Sequence, residues 1–201
     1  MKALILVDLQ NDFLPGGALA VNEGDQIIAT ANRLMSGFDC ILATQDWHPA
    51  DHLSFASQHN GSPGDVIDLE GLQQVLWPDH CVQNTTGAAF APGLTTHRFE
   101  KVFQKGTNRH VDSYSGFWDN GRRQNTGMAH YLHDRGVQDL CIMGLATDYC
   151  VKFTVLDALA AYFSVTVVLD GCRGVELNPG DCDKAVQVMT QAGAVIERDV
   201  L

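Results

Sequence analysis

The chain has 201 residues, 45% of them hydrophobic, which suits one domain with a sizeable core. Its 24 acidic and 13 basic residues give a formal net charge of −11, with no Lys/Arg cluster, which argues against nucleic acid and anionic membrane surfaces as partners. The opening apolar run is stopped by Asp8, too early for a signal peptide or a membrane span, and six scattered cysteines without a CxxC pair read as free thiols. A single domain over residues 1–201, cytoplasmic and without a membrane partner, is the expectation.

In chain order, Ala3 to Val7 reads as a buried strand ended by Asp8-Leu9-Gln10-Asn11-Asp12. Beyond the turn residues Pro15-Gly16-Gly17, the spacing of Ile27, Ile28, Ala31, Leu34 and Met35 predicts a helix. Cys40 to Thr44 is a second buried strand, ending at Asp46-Trp47-His48-Pro49. Residues 49–98, rich in Gly, Pro, His and Asn, predict one long irregular stretch, a length that usually signals function. Arg98 to Gln104 is a third strand before Lys105-Gly106, Thr126 to Arg135 a short helix, and Gln138 to Met143 a fourth strand. A tight turn, Gly144 to Cys150, then opens a helix from Val151 to Phe163, with Thr147 as its N-cap. Val165 to Leu169, a helix over Asp181–Gln191 and Ala194 to Glu197 complete the chain. Strands alternating with helices predict an α/β fold, its parallel sheet covered on both faces.

Ligands of open α/β sheets bind outside the carboxyl ends of the strands, and Asp8, Asp46, Lys105 and Cys150 each fall at such an end. Cys150 is the candidate nucleophile: a thiol in the first turn of a helix feels partial positive charge, which lowers its pKa. The N–H groups of the same turn can donate to an oxyanion. Asp8, desolvated at its strand end, is the candidate base, and Lys105 would pair with both. Taken singly, a small buried thiol, a loop-tying acid and a solvated lysine are the commoner roles for such residues. The weight lies in their occurring together. Asp46-x-His48, with His52 nearby and His80 further on, offers nitrogen and oxygen donors suited to one divalent ion: zinc, iron or manganese. His59, His97, His110, His130 and His133 read as structural or surface residues. Phe13, Trp77 and Tyr114 could wall a flat aromatic substrate.

Five segments carry a resemblance: Asp8-Leu9-Gln10-Asn11-Asp12-Phe13, Gln45-Asp46-Trp47-His48-Pro49, Trp77 to Gln83, Phe103-Gln104-Lys105-Gly106 and Gly144 to Val151. Together, in order and across nearly the whole chain, they resemble the nicotinamidases (pyrazinamidases), a family within the isochorismatase-like cysteine hydrolases. The resemblance implies a three-layer α/β/α sandwich with a six-stranded parallel sheet. It implies hydrolysis of nicotinamide to nicotinate and ammonia through a cysteine thioester in NAD salvage, with pyrazinamide as a second substrate. It further implies a triad of Asp8, Lys105 and Cys150, metal ligands Asp46, His48 and His80, and an oxyanion hole from the Ala146 and Cys150 N–H groups after a cis Leu145–Ala146 peptide. His52 is left as a fourth ligand or a residue behind the ligands, and the oligomeric state as monomer or small homo-oligomer. Three rivals stay open: a cysteine hydrolase of the same fold acting on isochorismate or an N-carbamoyl compound, a metallohydrolase whose metal-bound water attacks, and a silent binding module.

Overall fold

The computed structural model describes residues 1–198. β1 (Lys2–Val7) is followed by α1 (Ile27–Met35), which buries Ile27, Ala31, Leu34 and Met35 along one face at helical spacing. β2 (Cys40–Asp46) is buried at every position, as a strand covered on both faces must be. β3 (Val66–Leu69) and β4 (Leu72–Val75) form an antiparallel hairpin, followed by β5 (Lys101–Lys105), α2 (Met128–Asp134) and β6 (Asp139–Leu145). A π-helical turn, Thr147–Val151, runs straight into α3 (Lys152–Ala160), and β7 (Ser164–Arg173), α4 (Asp181–Gln191) and β8 (Val195–Glu197) close the described chain.

Six strands make one parallel sheet in the order β5-β2-β1-β6-β7-β8, flanked by helices in a three-layer α/β/α sandwich. From β1 the chain builds outward through β2 and β5, then returns to lay β6 on the other side. The reversal lies between β1 and β6, where the loops diverge and leave a crevice at the carboxyl ends. Among the described residues, no helix is long and apolar enough to cross a membrane.

Three sequence expectations need correction. The stretch 49–98 is not wholly irregular, because it holds the β3–β4 hairpin and one-turn 3-10 helices at Ala56–Gln58 and Thr96–Arg98. The hairpin turns at Glu70 and Gly71, both at positive φ, as a two-residue turn between twisted strands requires. The helix expected to reach Phe163 stops at Ala160: Tyr162 turns left-handed (φ 68) and the Phe163 N–H bonds back to the Ala158 carbonyl at 3.1 Å. β7 runs beyond Leu169 to Arg173, with a register shift opposite Ile142 and Gly144 of β6.

Candidate active site

The site is assembled from the tips of four adjacent strands. Asp8 leaves β1 in a left-handed conformation (φ 49), and its carboxylate and N–H are both tied to Thr44 of β2, at 2.5 and 3.1 Å. Lys105, the last residue of β5, lies in register with Asp46, the last of β2. Its ammonium is fully buried and meets four groups: Asp46 Oδ1 at 2.6 Å, Asp8 Oδ2 at 2.9 Å, the Ser113 carbonyl at 2.9 Å and Cys150 Sγ at 3.4 Å. Asp8, Lys105 and Cys150, far apart in sequence, therefore meet at one point. The Leu145–Ala146 peptide before the Cys150 turn is cis.

The electrostatics of this cluster follow from burial and charge count. Burial raises the Asp8 carboxyl above its ordinary value against the pull of Lys105, with Asp46 adding to the rise. Burial also works against the charge on Lys105, but Asp46, Asp8 and Cys150 overcome it and hold its pKa well above the usual lysine value. The same comparison overturns the expectation of a depressed thiol pKa. Burial raises Cys150 well above the ordinary thiol value; Lys105 opposes this, and Asp8 and Asp46 reinforce it. Nor does Thr147 cap the helix with its side chain. The residue before the π-turn is Ala146, whose carbonyl accepts from the N–H groups of Tyr149 (3.1 Å) and Val151 (3.0 Å). With the thiol pKa raised, removal of its proton calls for a base at hand.

Beside the triad, Asp46, His48 and His80 present ligand atoms within 4.8 Å of one another, all buried. Both imidazoles place Nε2 near Asp46 Oδ2, at 3.5 Å for His48 and 3.6 Å for His80. Each turns Nδ1 toward a backbone carbonyl, Gly106 at 2.9 Å and Pro78 at 2.8 Å, which fixes the ring hydrogen on Nδ1 and leaves Nε2 bare. His48 Nε2 is buried without a hydrogen-bond partner. Two bare imidazole nitrogens and a carboxylate facing one point fit a metal ion. A Cβ on Gly106 would come within 2.3 Å of the His48 ring, so the residue after Lys105 has to be glycine. His52 stands outside this group, sharing a second cluster with His48 and Asp112.

A narrow crevice lies between these groups. Phe13, Trp77 and Tyr114, the three aromatics singled out in the sequence, all line it with Ala146 and Cys150. Trp77 donates its indole N–H to the Tyr114 hydroxyl at 3.3 Å, and Tyr149 packs edge-on against Trp77 at 4.9 Å. Of the histidines read as structural, His59 bonds the Leu53 carbonyl, His133 stacks on Phe163, and His110 and His130 pair with surface acids.

Sequence reasoning missed Tyr149, Asp112 and Gln10. Gln10 is fully buried and clamps Asp46 from both sides, its Oε1 accepting the Asp46 N–H at 2.8 Å and its Nε2 donating to the Asp46 carbonyl at 2.8 Å. Its place three residues past a buried strand, inside a motif already singled out, was the available signal. Asp112 lines the crevice from a loop with no periodicity to betray it.

A parallel sheet wound on both faces, with an acid, an amine and a thiol at its strand tips, is the layout of an α/β enzyme with its site at the switch point. Residues 2–198 match the isochorismatase domain family, and the chain belongs to that family. It is 54% identical to the nicotinamidase of Escherichia coli K12, over 97% of this chain and 93% of the relative. The yeast nicotinamidase bound to the inhibitor nicotinaldehyde superimposes with a TM-score of 0.92 at 30% identity, covering 99% of this chain and 100% of the other. The pyrazinamidase of Pyrococcus horikoshii in complex with zinc gives a TM-score of 0.81 at 38% identity, covering 98% and 99%.

Proposed function

We propose that this chain is an amidohydrolase that converts nicotinamide to nicotinate and ammonia through a thioester on Cys150, working as one domain in cytoplasmic NAD salvage and accepting pyrazinamide as well. The observation that carries this reading is the Lys105 ammonium, which touches the Asp8 carboxylate and the Cys150 sulfur at once, in a crevice walled by aromatic rings. The nicotinamidase relatives, among them a nicotinaldehyde complex, support the substrate, and the pyrazinamidase–zinc complex supports zinc as the ion.

Asp8 takes the proton from the Cys150 thiol, and Lys105 stabilises the thiolate formed beside it. The sulfur adds to the carboxamide carbon, and the N–H groups of Ala146 and Cys150 donate to its oxygen as negative charge develops there. Collapse breaks the carbon–nitrogen bond, the nitrogen leaving as ammonia with the proton held on Asp8. Water then adds to the thioester with Asp8 again as base, nicotinate departs, and the proton returns to the sulfur. Asp46, His48 and His80 would hold a divalent ion whose Lewis acidity binds the pyridine nitrogen. Phe13 and Trp77 hold the ring flat, so that the amide faces the thiol and the gain comes from orientation.

Ammonia release from nicotinamide by protein of known metal content, with and without iodoacetamide, is the test. Loss of turnover on alkylation, at unchanged metal content, is the expected result. Full turnover by the alkylated protein would instead support attack by a metal-bound water.

A further inference from the structure

The second buried cluster, His48, His52 and Asp112, has a donor pattern unlike that of the first. The Ser54 backbone N–H donates to His52 Nδ1 at 3.1 Å, and the Ser54 hydroxyl lies 2.7 Å from the same nitrogen. An amide N–H can only donate, so Nδ1 is bare and the ring hydrogen sits on Nε2. This is the opposite tautomer to His48 and His80. His52 is thus arranged as a donor at Nε2, and that atom is buried with no hydrogen-bond partner among the described residues.

Asp112 supplies the complementary half. Its Oδ1 accepts the Ser113 N–H at 2.7 Å and its Oδ2 accepts the Gln74 side-chain amide at 3.0 Å, which leaves about two of its four lone-pair positions open. Ligand atoms of His48, His52 and Asp112 all lie within 4.8 Å of one another. One water making two bonds of about 2.8 Å can bridge a gap of that size. A buried donor on His52 and a buried carboxylate on Asp112 supply two polar partners, the minimum a buried water needs. Phe55, fully buried, closes the cluster with its ring 5.4 Å from that of His48 and 5.7 Å from that of His52.

We infer that His52 and Asp112 hold a water molecule against the Asp46–His48–His80 cluster, and that they are positioning residues for its metal ion, not ligands. The inference rests on the metal reading given above. The water accepts from His52 Nε2–H and donates to Asp112, so its orientation is fixed and a lone pair remains for the cation. Asp112 also keeps the donating tautomer of His52 in place, and the hairpin reaches the site through Gln74, which bonds the same carboxylate.

The test measures zinc affinity by competition with a chelator, for the wild-type chain, His48→Ala, His52→Phe and Asp112→Asn. Melting of each metal-free protein serves as the fold control. His52→Phe and Asp112→Asn are expected to retain a single zinc at saturation with affinity about 10–100-fold weaker, the usual loss when a group behind a ligand is removed. His48→Ala is expected to lose stoichiometric zinc. Should His52→Phe fail to fold, Asp112→Asn decides by the same loss or its absence. The inference is overturned if Asp112→Asn binds zinc as tightly as the wild type, or if His52→Phe loses zinc as completely as His48→Ala, which would make His52 a ligand. A wild-type chain that binds no divalent metal overturns the metal reading itself, a separate outcome visible in the control.

Discussion

Replacing Lys105 by methionine keeps the length of the side chain and removes only the charge and the donors. In the wild-type chain the ammonium lies 2.6 Å from Asp46, 2.9 Å from Asp8 and 2.9 Å from the Ser113 carbonyl. Removing one partner of a buried ion pair costs about 3–5 kcal/mol, and orphaning the Ser113 carbonyl about 1–3 more. Uptake of a proton by the carboxylates offsets part of this, so the expected loss for the metal-free protein at pH 7 is about 3–5 kcal/mol. The pH dependence has a definite sign. Without Lys105 the folded pKa values of Asp8 and Asp46 rise above the unfolded value of about 3.9, and the folded state then binds more protons than the unfolded one. The stability of the variant therefore rises as pH falls from 7 toward about 4, and its deficit relative to wild type shrinks. Urea unfolding of both metal-free proteins at pH 7 and pH 5 measures this, and kcat/KM should fall at least about a hundredfold. A deficit below about 1 kcal/mol at pH 7, or one equally large at pH 5, would refute the account of Lys105 as the buried counterion.

Cys150→Ala should abolish ammonia release while zinc content stays at the wild-type level; any sustained turnover would end the thioester route. Because Asp8 must be ionised to take the thiol proton and burial raises its pKa, kcat/KM should fall on the acid side with an inflection above the ordinary aspartate value of 3.8. An acid limb at or below that value would show that another group is the base. Gln10→Leu removes the bonds to both sides of the Asp46 peptide and leaves two buried groups unpaired, for a loss of about 2–5 kcal/mol in chemical unfolding. A near-neutral result would mean that solvent or a shifted loop takes over those bonds.

The parts of this fold legible in the sequence were those governed by periodicity and by strand ends. α4 lies where its pattern places it, at Asp181–Gln191, Asp8 and Asp46 sit at the tips of buried strands, and Lys105 ends the more exposed β5. The β3–β4 hairpin was not legible, because its strands are short, only partly buried and carry Asp68, Gln73 and Gln74, so no alternation marks them. The thiol pKa went the wrong way for a different reason. A local argument counted the partial charge of the turn but not the two carboxylates and the burial that only the folded sheet brings to Cys150. Asp112 escaped for the same cause, since its bond from Gln74 joins residues distant in sequence, whereas the tautomer of His52 depends on how its loop folds Ser54 back onto the ring.

β5, which supplies Lys105, lies at the rim of the sheet and is zipped to a single neighbour, β2. The amine that ties the site together is thus contributed by an edge strand, while the acid and the thiol come from the middle. Fraying of this one margin would withdraw the cation and silence the chemistry while the inner strands stayed paired, so the domain can lose its activity well before it loses its shape.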